Sequence, residues 1–322
     1  MRIIFMGTPD FAVPSLEILL ENGYEVAAVV TATDKLGGRG GKQLLESAVK
    51  RFAVGRGLPV LQPEKLRSPD FLAQLRSYNA DLQIVVAFRM LPEVVWAMPK
   101  IGTFNLHGSL LPKYRGAAPI NWAIINGEEE TGVTTFFLQH EIDTGDLLFQ
   151  ASTPIGEDDT AGEVHDRLMQ LGAELVLKTV QAIERGDYVP LKQDDSLVCH
   201  APKLFHETCE INCHQSTLQV HNFVRGLSPF PCAWLSIKNP LTLEDGTPWQ
   251  SMGWEKVQGI ELKVSKTEKE VAAHGFSPGH FVTDGKKTLK MATLDGFVHL
   301  VEMQLQGRKR LGVVDFLNGL KS

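Results

Sequence analysis

Short apolar runs bounded by turns recur along the first part of the chain, at residues 2–6, 25–30, 59–61, 82–87 and 102–106. Runs of this length, rich in Val and Ile, predict strands. Between them, residues 14–22, 44–56, 68–78, 92–97 and 119–126 carry helical patterns. Strand and helix in alternation predict parallel strands joined by right-handed crossovers, an open and mostly parallel α/β sheet. Ligands of such sheets sit beyond the carboxyl ends of the strands, here the loops after Met6, Ala87 and Leu106.

Farther on, residues 131–138 and 147–154 predict a strand pair whose connecting loop, 139–146, carries Asp143. Residues 160–185 have helical periodicity, with Asp158-Asp159-Thr160 as cap material and Gly186 as a stop. The first domain is therefore expected over 1–188. Residues 189–208, with two prolines among mixed polar residues, read as a linker, and 209–322 as a second domain. There a short helix over 215–225 and the break Leu227-Ser228-Pro229-Phe230-Pro231 precede strand-like runs at 233–237, 261–264, 289–292 and 298–303. Repeated short strands, separated by turns such as Asp284-Gly285 and Asp295-Gly296, predict a small barrel.

Composition narrows the class. A chain of 322 residues, 43% hydrophobic and 22% charged, suits a soluble protein with two cores. The apolar run at the amino end is too short for a signal peptide or a membrane span, so a cytoplasmic protein without a membrane partner is expected. Four cysteines fit a reducing compartment. His206, Cys209, Cys213 and His214 are spaced H-x2-C-x3-C-H, which matches none of the usual zinc patterns, so no metal is expected. The net charge of −6 argues against a general nucleic-acid binder, and DNA is not expected as a partner. Charge is uneven, however: fourteen basic against twelve acidic residues from position 200 onward, and eighteen against twenty-six before it. A local positive surface in the second domain could bind phosphates. The first loop, Gly7-Thr8-Pro9-Asp10-Phe11, lacks the second and third glycines of a dinucleotide turn, which speaks against a nicotinamide cofactor.

The most informative stretch is Asn105-Leu106-His107-Gly108-Ser109-Leu110-Leu111-Pro112, with Asp143-Thr144-Gly145-Asp146 about thirty residues on. Side chains two apart on a strand point the same way, so Asn105 and His107 could face one reacting atom. An amide donor beside an imidazole suits a developing oxyanion, and a carboxylate from another loop could orient or charge the ring. Ser109 lacks the Gly-x-Ser-x-Gly elbow of an exposed nucleophile, so direct transfer between two bound substrates is the simpler chemistry. The competing reading is that Asn105 and His107 satisfy backbone groups at a strand end while Asp143 caps a turn. It is the stronger one residue by residue and the weaker one for the set.

At these residues the chain resembles the bacterial methionyl-tRNA formyltransferase family, over essentially its whole length. The resemblance is carried by residues 2–12 of the first strand and turn, by Asn105 through Pro112 with Arg115-Gly116-Ala117-Ala118-Pro119-Ile120, and by Asp143-Thr144-Gly145-Asp146. Near the end, Pro278-Gly279, Thr293-Leu294-Asp295-Gly296 and Gln304-Leu305-Gln306-Gly307-Arg308-Lys309 are similar to the family's second domain. The resemblance implies a Rossmann-like, mostly parallel sheet followed by a small OB-like β-barrel. It also implies 10-formyltetrahydrofolate as formyl donor, no metal, and initiator methionyl-tRNA as acceptor. Other formyltetrahydrofolate enzymes share the Asn/His/Asp set, so a formyltransferase acting on glycinamide ribonucleotide or an amino-sugar nucleotide is the alternative. The loop over 33–42 with its Gly38-Arg39-Gly40 favours the tRNA.

By resemblance, Asn105 and His107 would meet the oxyanion and Asp143 would hold His107 and help take the amine proton. Ser109, Leu110, Leu111 and Pro112 would border the folate, with backbone near Ala87, Phe88 and Met90 reading its pteridine. Arg39 and Lys42 would clamp the acceptor stem, and Lys203, Arg225, Lys287, Arg308 and Lys309 would line a phosphate track. The chain departs from the family in Gly41, where a second basic residue often stands, in Ser47-Ala48 for Ser-Pro, and in Ala87-Phe88, where a tyrosine-glycine pair is more usual.

Overall fold

The uninterrupted apolar runs become the inner strands of one sheet, because only a strand covered on both faces can keep every residue apolar. The computed structural model describes residues 1–37, 43–249 and 252–321. In spatial order the sheet runs Leu147–Pro154, Glu130–Phe137, Gly102–His107, Leu82–Val86, Arg2–Gly7, Glu25–Val30, Val60–Leu61. The last five are parallel, and the first two join antiparallel beyond Gly102–His107. Ile4 and Met6 pack with Val30, Val85, Phe71 and Leu75 on one face, while Ile3 and Phe5, equally buried, take the opposite one.

Strand order turns back between Arg2–Gly7 and Leu82–Val86, which are hydrogen-bonded neighbours. A crevice opens at the carboxyl ends of strands on either side of such a reversal. Gly7 and Ala87 lie at that end, and His107 closes the next strand.

One helix departs from its pattern. The run expected over 44–56 begins as a helix only at Ala48, where the Ser47 hydroxyl accepts from Lys50 N at 3.0 Å. Leu44 and Leu45 instead pair with Lys35–Gly37 as the strand Gln43–Leu45. Residues Arg39 and Lys42, with the rest of Gly38-Arg39-Gly40, lie outside the described residues.

By packing, the chain forms two compact units: Met1–Pro119, Glu130–Pro154 and His165–His200 in the first, and Ile120–Glu129, Ile155–Val164 and Ala201–Ser322 in the second. The linear division into 1–188, linker and 209–322 therefore misses two exchanges. Ile125 packs against the core of the second unit, whose Gly226 has room for no more than a hydrogen beside it. The stretch 189–200, read as linker, belongs to the first unit, where Leu191 and Leu147 exchange backbone hydrogen bonds of 2.7 and 2.9 Å.

The second unit is β-rich. Its main sheet runs Ala233–Ser236, Glu261–Val271, Gly296–Leu305, Leu289–Ala292, Phe281–Thr283, Leu241–Leu243, with Leu311–Gly312 pairing beside Gly296–Leu305. Val264, Phe281, Met291, Val298 and Leu300 meet in one core, closed by Phe316, Leu317 and Leu320 of the carboxyl-terminal helix Val313–Lys321. The helix Thr217–Gly226 starts from a capping box between Ser216 and Gln219. Among the described residues no helix is long and apolar enough to cross a membrane.

Candidate active site

His107 ends its strand 6% exposed, and its Nε2 lies 2.8 Å from the carbonyl oxygen of Tyr114. A carbonyl can only accept, so Nε2 carries the proton and donates. The other nitrogen, Nδ1, lies 3.9 Å from Oδ2 of Asp143. Neutral His107 therefore presents a lone pair at Nδ1, and a proton taken there comes to rest opposite a carboxylate.

Asn105 lies on the same strand face two residues earlier, half-buried, and its carboxamide makes no hydrogen bond among the described residues. An amide that the fold leaves unspent beside a committed imidazole is available to a ligand.

Asp143 reaches this point on the loop between the antiparallel strands, with φ +55, the left-handed region an Asp tolerates better than most residues. Its Oδ2 accepts from Gly116 N at 3.0 Å. Gln193, from the stretch read as linker, donates to the carbonyls of Asp143 and Gly145. Sequence reasoning missed Gln193, because a polar segment with no periodicity offers no signal.

The turn after His107 is wired from below. The Ser109 hydroxyl donates to Lys113 O at 2.6 Å, and the fully buried Thr134 donates to Ser109 O at 2.6 Å and accepts from Leu111 N at 3.1 Å. Gln150 Nε2 donates to Leu111 O at 2.8 Å. Ser109 is thus spoken for and is no nucleophile. Leu111 is buried with both backbone groups taken, so it forms the inside of the wall, while Leu110 and Pro112 remain half-buried. Across the reversal point, Ala87 has φ +47, Phe88 is half-buried and Met90 is 75% exposed. A 640 Å³ groove lined by Lys65, Arg67, Arg89, Met90, Trp96 and His140 borders this loop.

The residues expected to meet phosphates do not share one environment. Lys203, Lys287, Arg308 and Lys309 are exposed, and the last two line a 320 Å³ cavity with Lys256 and Phe316. Arg225 is different: it is buried, with Nε bonded to Asn222 at 2.8 Å and NH1 to the carbonyls of Asp159 and Gly156 at 2.9 and 3.2 Å. Its guanidinium is held by its own unit, so it is corrected from a phosphate ligand to an internal brace. His206, Cys209, Cys213 and His214 also keep separate company. His206 stacks on Trp234 and bonds Glu261, Cys209 donates to Phe205 O, and the Cys213 thiol, pushed up to about 11 by burial, lies against Met291.

Residues 1–180 match the family described as formyl transferase, and residues 203–321 its C-terminal domain. Methionyl-tRNA formyltransferase of Parabacteroides distasonis is 52% identical over 100% of this chain and 96% of its own. That of Flavobacterium johnsoniae is 46% identical over 99% and 96%. Among solved structures, WlaRD, a sugar 3N-formyl transferase, superposes with a TM-score of 0.63 at 21% identity, over 96% of this chain and 99% of that one. HypX from Aquifex aeolicus in complex with tetrahydrofolic acid gives 0.62 at 20% identity, over 99% of this chain and 47% of that one. At such identities the two structures establish the fold alone.

Proposed function

Since this chain belongs to the methionyl-tRNA formyltransferase family, we propose that Asn105, His107 and Asp143 carry its formyl transfer, from 10-formyltetrahydrofolate to the α-amino group of methionine on initiator tRNA. The observation that carries the reading is the fixed imidazole, Nε2 spent on Tyr114 O and Nδ1 turned to Asp143, beside an Asn105 amide with no hydrogen-bond partner among the described residues.

The neutral amine attacks the formyl carbon, and the carbonyl electrons move to oxygen. Asn105 N–H donors meet that oxyanion. The amine proton passes to His107 Nδ1, directly or through water, and the imidazolium so formed is opposed by Asp143. Collapse of the tetrahedral centre breaks the bond to N10 of the folate, which takes the proton held on His107 as it leaves, directly or through water, and the imidazole returns to its neutral form. Holding both substrates in one geometry supplies up to about 7–11 kcal/mol in the best intramolecular cases. The folate lies along Ser109 to Pro112, with Ala87, Phe88 and Met90 at its pteridine; Arg39 and Lys42 hold the acceptor end.

Mixing the pure protein, 10-formyltetrahydrofolate and methionyl initiator tRNA is expected to yield formylmethionyl-tRNA. No product, with glycinamide ribonucleotide or an amino-sugar nucleotide formylated instead, would overturn the acceptor assignment. Asn105→Ala is expected to lower kcat about 10²- to 10³-fold with folate affinity largely kept, measured by steady-state kinetics and folate titration.

A further inference from the structure

We propose that Gln193 is a positioning residue for the transfer, its carboxamide fixing the backbone that aims Asp143 at His107; the inference rests on the role given to Asp143 above. Gln193 Nε2 lies 2.8 Å from Asp143 O and 2.9 Å from Gly145 O, so both of its N–H groups are spent on the two carbonyls of the Asp143 turn. Its Oε1 accepts from Arg115 Nε and NH2 at 3.0 and 2.7 Å. Both donors and both acceptor positions of one carboxamide are thereby filled, the full capacity of the group.

These bonds form a ring. Arg115 immediately precedes Gly116, whose N–H holds the Asp143 carboxylate at 3.0 Å, and Gln193 joins the Arg115 side chain back to the Asp143 main chain. The ring is anchored at both ends: Arg115 NH2 reaches Asp195 Oδ1 at 2.9 Å, and Leu191, two residues before Gln193, pairs with Leu147 at the base of the loop. Asp143 needs such support, because its φ of +55 is a conformation a non-glycine residue keeps only when its surroundings over-determine it. Without the two N–H donors the turn is free to relax, and the carboxylate drifts from Gly116 N and from His107 Nδ1.

Gln193→Glu separates this role from a merely structural one. The glutamate keeps the shape and the bond to Arg115 but has no N–H, and it sets a negative charge against the two carbonyls. The expected result is a kcat lowered about 10- to 100-fold, the scale of a catalytic group misplaced by about 1 Å, with KM for folate and for charged tRNA within about threefold of wild type. Wild-type kcat in Gln193→Glu would overturn the inference, as would a loss confined to KM. Asp143→Asn, measured alongside, tells the two failures apart. If Asp143→Asn loses turnover while Gln193→Glu does not, only the inference on Gln193 falls; if Asp143→Asn turns over like wild type, the catalytic reading of Asp143 falls with it.

Discussion

Gly145 leaves no room for a side chain. A Cβ there would lie 1.6 Å from the carbonyl oxygen of Phe137, a backbone atom that cannot step aside without moving its strand. The close approach presses the Asp143 turn onto the end of the Glu130–Phe137 strand, where Phe137 N donates to Asp146 O at 3.2 Å. Gly145→Ala is therefore expected to cost about 1–3 kcal/mol of stability, the usual scale of overpacking, and to lower kcat because Asp143 is two residues away. Denaturant unfolding and steady-state kinetics check the two parts. A second residue-scale expectation concerns Asp284. Burial opposes its ionisation, yet the backbone N–H groups of Thr288, Lys287 and Lys286 together hold its carboxyl down to about 2. Its folded value lies below the unfolded one, so its contribution is present above about pH 4 and is lost as the pH falls toward 2. The melting-temperature deficit of Asp284→Ala should accordingly be seen at pH 7 and vanish near pH 2.

At the scale of elements, the helix Thr217–Gly226 meets the strand Glu261–Val271 through His221, which is 2% exposed and bonded at Nδ1 to Thr267 Oγ1 at 2.9 Å. Its Nε2 lies 3.2 Å from Asp158 without the alignment of a hydrogen bond. Burial first, then Lys269 and Arg225, lower its pKa against the opposing pull of Asp158. A histidine lowered in the folded state binds its proton more readily when unfolded, so the helix loses stability as the pH falls below about 6.5. His221→Gln should flatten that part of the stability curve, read as the difference between variant and wild type at pH 7.5 and at pH 5.5.

The same elements show what the sequence makes legible. Strands at Glu25–Val30 and Leu289–Ala292 fall where the pattern predicts them, because turns close an apolar run at both ends. Glu261–Val271 was readable only as far as residue 264: beyond it Lys266, Glu268 and Lys269 interrupt the apolar pattern, although Ser265 and Thr267 are buried. Leu44 and Leu45 mimic a helix but are exposed and paired as a strand. Asn105, His107 and Asp143 could be picked out because their residue types imply chemistry. Gln193 could not, since its meaning comes entirely from partners at 115, 143 and 145.

For the molecule as a whole, the acidic total of −6 and the exposed Lys203, Lys287, Arg308 and Lys309 of the second unit lead to one expectation about salt. The KM for charged tRNA should climb steeply with salt while that for folate does not. Replacing Arg308 and Lys309 together by Ala should reduce the slope of log KM against log salt by about 2, with kcat unchanged. The two compact units are also interleaved along the chain, since residues 120–129 and 155–164 pack with the segment that begins at Ala201. During synthesis these two stretches leave the ribosome before the strands that cover them exist. At roughly 5–20 residues per second, on the order of ten to forty seconds separate the synthesis of Ile125 from that of Phe316 to Leu320, which close the core it packs against. A nascent chain of this protein thus carries an uncovered apolar segment through most of its own translation, which makes it a natural client for chaperones that bind before release.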